Sequence, residues 1–169
     1  MGGRRHCSYT VANMPCGAAP VQRDDATIDA LLDLPSVTEV VERAFSAWGH
    51  GLAATTQRVR SSASGAMASA MAAVAPPYSG GKVYATHEGV FTFVNVLFDM
   101  DGRLLCTLAG DALTRLRTPA ACALAIRHLA AVEPRTAALI GAGRQGWNHL
   151  VMLAAEVPGL SEVRINDLR

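Results

Sequence analysis

The sequence predicts an α/β protein in two parts, an α+β domain over residues 25–133 and a single strand-helix-strand unit over residues 134–169. Two observations lead to this prediction. Near the C-terminus a glycine-rich turn lies between an apolar run and a helical segment, as in a parallel βαβ unit. Before it, runs rich in aromatic and β-branched residues lie between two helical patterns, which is typical of an α+β domain.

The first ordered element is expected near Asp25. Residues 1–24 are rich in Gly, Pro and polar residues and lack a periodic pattern, so we expect a disordered extension. Ser36 and Glu39 have the spacing of a capping box, and apolar residues then recur at helical spacing as far as Gly49. This pattern predicts an amphipathic helix.

The middle of the chain predicts a mostly antiparallel sheet. Lys82–His87, Phe91–Asp99 and Leu104–Ala109 carry the aromatic and β-branched residues of strands, and Asp101-Gly102 supplies a hairpin turn. Residues 52–81 are less clear, because their Ala and Met content would also suit a helix.

A second helix is predicted over Ala112–Ala130, with Asp111 as its N-cap. Pro119 lies inside this segment and removes a backbone donor. We therefore expect the helix to kink there, or to begin afresh with Thr118 as a new cap. Pro134 then separates this domain from the strand-helix-strand unit.

The glycines of the last segment have the spacing that dinucleotide phosphates require. Gly141, Gly143 and Gly146 follow an apolar run directly, so the backbone can turn tightly, approach a phosphate and pack against a helix. The helix amides from Arg144 onward would face the anion. Asp167 follows the second strand, where a carboxylate accepts hydrogen bonds from ribose hydroxyls. The unit is therefore predicted to be the first βαβ unit of a Rossmann-type dinucleotide-binding domain.

Composition excludes several classes of protein. Half of the residues are hydrophobic and the formal net charge is +1, which favours a globular chain without affinity for nucleic acid or an acidic membrane surface. No run is long enough to span a bilayer. The four cysteines show no CxxC spacing and no metal-ligand pattern, so reduced thiols in a cytoplasmic protein are expected, and no metal.

Three cations are candidates for binding an amino-acid substrate: Arg58, Lys82 and Arg117. If they converge, they offer a guanidinium fork for an α-carboxylate and an ammonium that can orient it or exchange a proton. Each taken singly is more typical of a solvated surface charge. Arg60 and Arg115 are alternatives for the same roles.

The chain resembles the ornithine cyclodeaminase and mu-crystallin family from about Leu31 to Arg169. Leu113–Ala121 is similar to the family signature LTxxRTAA, and Ile140–Gln145 is similar to its GxGxQ turn. Gly81-Lys82-Val83 and the predicted hairpin around Gly102 support the match. Pro119 stands where the family has alanine.

The resemblance implies a role for each candidate residue. Arg58 and Lys82 would bind the substrate carboxylate, and Arg58 is preferred to Arg60 because its spacing to Lys82 suits the family. Arg117 would reach the nicotinamide side of the cofactor. The other residues expected to contact the cofactor are Thr92, Gly141, Ala142, Gly143, Arg144, Gln145, Gly146 and Asp167. The family's catalytic aspartate would lie beyond Arg169, so the catalytic residue is unknown.

The resemblance also implies the chemistry. An N-terminal substrate-binding and dimerisation domain would act on an amino acid or cyclic imine by hydride transfer, in deaminating cyclisation, imine reduction or amino-acid dehydrogenation. Asp167 favours NAD over NADP, because a carboxylate repels the 2′-phosphate. A homodimer through the sheet is expected, with Phe91–Ala109 as the interface. Two alternatives stay open: a non-catalytic, crystallin-like nucleotide-binding protein, and an inactive truncated remnant.

Overall fold

A computed structural model describes residues 20–130 and 133–168 of the chain. It contains nine strands and four helices within those residues. The strands are β1 (Val21–Arg23), β2 (Ala54–Thr55), β3 (Val59–Ala63), β4 (Ala66–Ala75), β5 (Tyr78–His87), β6 (Val90–Asp99), β7 (Leu104–Ala109), β8 (Thr136–Ile140) and β9 (Glu162–Asn166). The helices are α1 (Asp25–Leu31), α2 (Leu34–Gly49), α3 (Asp111–Leu129) and α4 (Arg144–Glu156).

Strands β1 to β7 form one sheet with the order β1-β7-β6-β5-β4-β2, and β3 also pairs with β4. All of its pairs are antiparallel except β1 with β7, which confirms the mostly antiparallel sheet. Residues 52–81 form strands, so the helical alternative for that span is wrong. The small side chains there suit pairing with β5, whose ten residues pair with all ten of β4.

The N-terminal part departs from the sequence prediction at two points. Val21–Arg23 forms a strand parallel to β7, so order begins inside the segment expected to be disordered; residues 1–19 of that segment lie outside the described residues. Helix α2 begins at Leu34 and is capped by Asp33, not by Ser36. The Asp33 carboxylate accepts a hydrogen bond from the Ser36 backbone amide at 2.9 Å. An aspartate can cap a helix in this way because its carboxylate accepts from a free amide of the first turn, just as a serine hydroxyl does.

Helix α3 runs without interruption through Pro119, so the predicted restart is wrong. Gly110 is its N-cap residue, and Asp111 lies in its first turn. The Thr118 hydroxyl donates to the Thr114 carbonyl at 2.7 Å and caps nothing. The Pro119 ring is fully buried, so its apolar packing offsets the missing backbone donor.

The two predicted parts of the chain share a core. Ala123 of α3 is buried against Met152, Leu153 and Val157, which belong to α4 and the residue after it. Strands β8 and β9 pair in parallel beside α4, which confirms the predicted βαβ unit. Ile140 and Ile165 at this small sheet are 89% and 50% exposed.

Candidate active site

A cavity of about 630 Å³ lies between α3 and the face of β4, β5 and β6 that turns toward it. Its lining includes Arg58, Lys82 and Arg117. These residues come from the loop before β3, from β5 and from α3, so residues far apart in sequence converge. The remaining lining is mainly apolar, with Tyr84 and Phe93 among the aromatic residues.

Lys82 is held within the cavity by a hydrogen bond and by its position over aromatic rings. Its Nζ donates to the Thr114 hydroxyl of α3 at 3.0 Å and lies 4.3 Å from the centre of the Phe93 ring. The ring face is electron-rich and favours the ammonium. Burial nevertheless lowers the pKa of Lys82, and the positive charges of Arg117 and Arg58 lower this pKa further. An ammonium in this position gains from any anion that enters.

The two arginines of the cavity form a cluster of like charge with Lys82. Arg58 Cζ lies 5.9 Å from the centre of the Tyr84 ring. Arg117 is exposed over the residue as a whole, but desolvation of its guanidinium, followed by the charge of Arg58, lowers the pKa of that group. The geometry thus supports Arg58 and Arg117 as a pair of cations facing a shared space.

The alternative arginines are placed elsewhere. Arg115 binds the carboxylates of Asp29 at 2.6 Å and Asp111 at 3.3 Å, so its charge links α1 to α3. Arg60 is not among the lining residues, but its side chain forms a hydrogen bond with Tyr84 at the cavity wall. Thr92 also lies away from it, because Thr92 pairs with Ala85 on the opposite face of the sheet. The structure therefore brings together Arg58, Lys82 and Arg117 but not Thr92.

The glycine turn has the geometry expected for phosphate binding. Gly141 has a φ of 97°, in the left-handed region that favours glycine. A Cβ at Gly146 would lie 2.3 Å from the Gly141 carbonyl oxygen, so only glycine allows this close approach of helix and turn. Gly143 is the N-cap of α4 and provides no side-chain cap, which leaves the first helix amides available to an anion.

Asp167 lies beside this turn. Its carboxylate accepts a hydrogen bond from the Ala142 amide at 2.6 Å, which fixes the acid where β9 ends. Arg144 is turned toward the N-terminal domain, where its Nη1 contacts Asp111 at 2.9 Å. Among the described residues, the buried Gln145 Oε1 has no hydrogen-bond partner.

The structure adds polar residues that the sequence did not single out. Asn95 lines the cavity, and its buried Nδ2 has no partner within the described part of the chain. Asn95 lies two and four residues after Phe93 and Phe91 in β6, so all three side chains are on the cavity face. This spacing would have identified Asn95 only if the register of β6 with β5 had been known. His149 Nε2 lies 3.2 Å from Cys122 Sγ and joins α4 to α3; no spacing in the sequence indicates this pair.

Membrane-spanning helices and metal clusters are both absent from residues 20–130 and 133–168. No helix there has both the length and the apolar character needed to cross a membrane. No group of three or more His, Cys, Asp or Glu side chains there has the arrangement of a metal site.

An antiparallel sheet with a cationic cavity is joined through α3 to a glycine-turn βαβ unit, and this combination defines a mixed α/β fold. The chain belongs to the ornithine cyclodeaminase/mu-crystallin family, whose sequence profile matches residues 21–169. This confirms the resemblance drawn from the two signatures.

Solved structures with this fold include a probable ornithine cyclodeaminase from Bordetella pertussis Tohama I, with 38% identity, a TM-score of 0.85, and coverage of 89% of this chain and 49% of that one. An archaeal alanine dehydrogenase dimer with bound NAD has 24% identity, a TM-score of 0.80, and coverage of 89% and 49%. Thermococcus litoralis Δ1-pyrroline-2-carboxylate reductase, in complex with NADH and L-proline, has 24% identity, a TM-score of 0.78, and coverage of 88% and 49%. The chain thus spans about half the length of these structures. A comparison with curated proteins found no match.

Proposed function

We propose that this protein is part of an NAD-dependent enzyme that acts on an amino acid or cyclic imine by hydride transfer. The observation that supports this most directly is the convergence of Arg58, Lys82 and Arg117 on one cavity. Two solved relatives support the class, since they are described as an alanine dehydrogenase with NAD and as a reductase with NADH and L-proline.

At the substrate end, Arg58 and Lys82 bind the α-carboxylate. The Arg58 guanidinium offers a bidentate contact, and the partly buried Lys82 ammonium gains more from a carboxylate than an exposed cation does. The hydrogen bond from Lys82 to Thr114 and its contact with Phe93 hold the ammonium in place. Arg117 orients the group that lies beside the carboxylate and toward the nicotinamide.

At the cofactor end, the residues of the turn fit a dinucleotide. The uncapped start of α4 and the close contact between Gly146 and Gly141 provide a cradle of amides for the pyrophosphate. Asp167, held by the Ala142 amide, accepts hydrogen bonds from the ribose and selects NAD over NADP. When bound, NAD would accept a hydride from an amino acid, and NADH would donate one to an imine.

Calorimetry and turnover together test the proposal. We expect the purified protein to bind NAD, and nicotinamide oxidation or reduction to occur with an amino acid or cyclic imine. Arg58→Lys should reduce turnover, because an ammonium cannot form the bidentate contact, while Arg43→Lys, at an exposed position of α2 outside the cavity lining, serves as the matched control. NAD binding without turnover on any amino acid or imine would instead favour the crystallin-like binding protein or the inactive truncated remnant. Absence of NAD binding would refute the proposal.

We also propose a homodimer through the sheet face opposite the cavity. Val59, Val83 and Val94 are 65%, 55% and 46% exposed. They form one row across β3 to β6, since Val59 and Val83 both pair with Ala70 and Val83 pairs with Val94. Such a row favours burial against a second copy. Light scattering should show a dimer that Val83→Glu disrupts and that Val90→Glu, at the hairpin end, leaves intact.

A further inference from the structure

The Lys82 ammonium lies at the end of a flexible stem among groups that repel it. A lysine side chain by itself holds no fixed direction. Burial lowers the pKa of Lys82, the like charges of Arg117 on α3 and Arg58 before β3 lower it further, and Tyr84 of β5 has the opposite effect. Repulsion by the guanidinium groups favours a lysine that turns away from the space they share. The three cations can meet one ligand only if a contact directs the ammonium.

Thr114 supplies that contact. Its hydroxyl accepts a hydrogen bond from Lys82 Nζ at 3.0 Å, and the contact is partly buried. The rings of Phe93 and Tyr84, whose centres lie 4.3 and 5.5 Å from Nζ, also favour the ammonium. A ring face attracts a cation without fixing the direction of its N–H groups, whereas a hydrogen bond fixes it. The remaining donors of the ammonium are left for a ligand.

Close packing of α3 on the sheet fixes the position of Thr114. The Gly110 carbonyl accepts from the Thr114 backbone amide at 3.1 Å, at the start of the helix. A Cβ at Gly110 would lie 2.4 Å from the Phe93 Cβ, so α3 begins closer to β6 than a residue with a side chain would allow. Arg117 follows Thr114 by three residues, and both line the cavity. The Thr114 hydroxyl thus ties a lysine of the sheet to the helix that carries Arg117.

Building on the proposed function, we propose that Thr114 is a positioning residue for the substrate carboxylate. Its hydroxyl holds the Lys82 ammonium against α3, so the ammonium faces the space shared with Arg58 and Arg117 before a substrate enters. A donor that is already oriented loses less conformational freedom when the carboxylate binds. Because Thr114 acts through Lys82, its loss should weaken substrate binding and leave NAD binding unchanged.

Substitutions at Thr114 test this role by kinetics. Thr114→Val removes the hydroxyl and keeps a similar shape, so KM for the amino acid or imine should rise about tenfold, with a smaller change in kcat and an unchanged dissociation constant for NAD. Thr114→Ser retains the hydroxyl and should keep the KM of the parent. Thr118→Val is the matched control, since the Thr118 hydroxyl donates to the Thr114 carbonyl. If melting shows that the valine variant does not fold, Thr114→Ala replaces it.

A second measurement follows Lys82 directly, since Lys82 is the only lysine in the sequence. Protein labelled with ¹³C at lysine Cε gives one lysine signal in an NMR spectrum, and its chemical shift follows the titration of Lys82. The Thr114 hydroxyl favours the charged form, so Thr114→Val should lower the pKa of Lys82 further, and the two control variants should not. The charged and titratable groups that face Lys82, namely Arg58, Arg117 and Tyr84, are the same in every variant.

The outcomes separate this inference from the proposed function. If the parent is active and Thr114→Val leaves either the KM or the pKa of Lys82 unchanged, the inference is overturned and the proposed function stands. Equal losses in Thr114→Val and Thr114→Ser would also overturn it, because the hydroxyl would then not be the cause. A parent that turns over no amino acid or imine would refute the proposed enzyme, and this inference with it.

Discussion

Gly146→Ala tests whether the glycine turn is built for close packing of α4 on the strand before it. The new Cβ would lie 2.3 Å from the Gly141 carbonyl oxygen and 3.2 Å from its carbon. Because comfortable contacts lie near 3.5 Å, helix and turn must separate by about 1 Å. Overpacking costs about 1–3 kcal/mol, and the backbone contact here puts the cost in the upper part of that range, about 2–3 kcal/mol. The better helix propensity of alanine returns about 1 kcal/mol.

The net loss of stability is therefore about 1–2 kcal/mol, which lowers the melting temperature by roughly 2–8 °C in a chain of this size. The separation also moves the first α4 amides away from the phosphate, so NAD binding should weaken more than tenfold. Differential scanning calorimetry and NAD titration measure the two effects.

Two alanine controls separate stability from binding. At Gly49 and Gly143 an added Cβ would have nothing within 4 Å, so alanine at either position should leave the melting temperature within a degree or two of the parent. Gly143→Ala should still weaken NAD binding, because the added methyl group occupies the approach to the pyrophosphate. A Gly146→Ala protein that melts and binds NAD as the parent does would refute close packing as the reason for this glycine.

Three further outcomes follow from the site. The pKa of Lys82 is lowered from its ordinary 10.5 in the folded protein. Between the folded and the unfolded pKa the unfolded chain binds more protons, so the free energy of unfolding should rise with pH there, and below that window the folded state bears the full cost of the buried ammonium. Lys82→Met should abolish this rise in the urea-unfolding midpoint, and a rise that persists in the variant would contradict the reasoning. Asp111→Asn frees Arg144 from a largely exposed ion pair and also weakens the pair of Asp111 with Arg115. Melting should therefore show a loss of about 1 kcal/mol or less, while NAD binds a few-fold tighter. Weaker NAD binding would count against a pyrophosphate role for Arg144. Asp167→Ser removes the carboxylate that repels the 2′-phosphate, so the ratio of NAD to NADP affinity should shift toward NADP by about tenfold. An unchanged ratio would show that Asp167 does not determine the choice of cofactor.

Much of the fold could be predicted because local patterns decide it. The hairpin with its turn at Gly102, the helix after Gly110 and the βαβ unit each carry a period or a turn residue that only one element suits. Predictions were wrong where two local signals competed. Asp33 and Ser36 are both good caps, and the burial of Pro119 outweighs its usual effect on a helix.

The site was predicted only in part. Arg58, Lys82 and Arg117 could be proposed as a group from their motifs, but Thr92 could not be placed, because a strand shifted by one residue presents the opposite face. Asn95 was overlooked for the same reason. Its meaning depends on the register with Lys82 and on the close packing against Gly110.

By itself the sequence determined the family and the position of the glycine turn, since glycine spacing and the motif around Arg117 act locally along the chain. Only the tertiary structure decided which cations share a cavity and that no carboxylate is among the described residues of its lining. It also showed that Arg115 forms ion pairs with Asp29 and Asp111. The physical reason is that charge complementarity depends on distances between residues far apart in sequence, and those distances are fixed by strand register and helix packing.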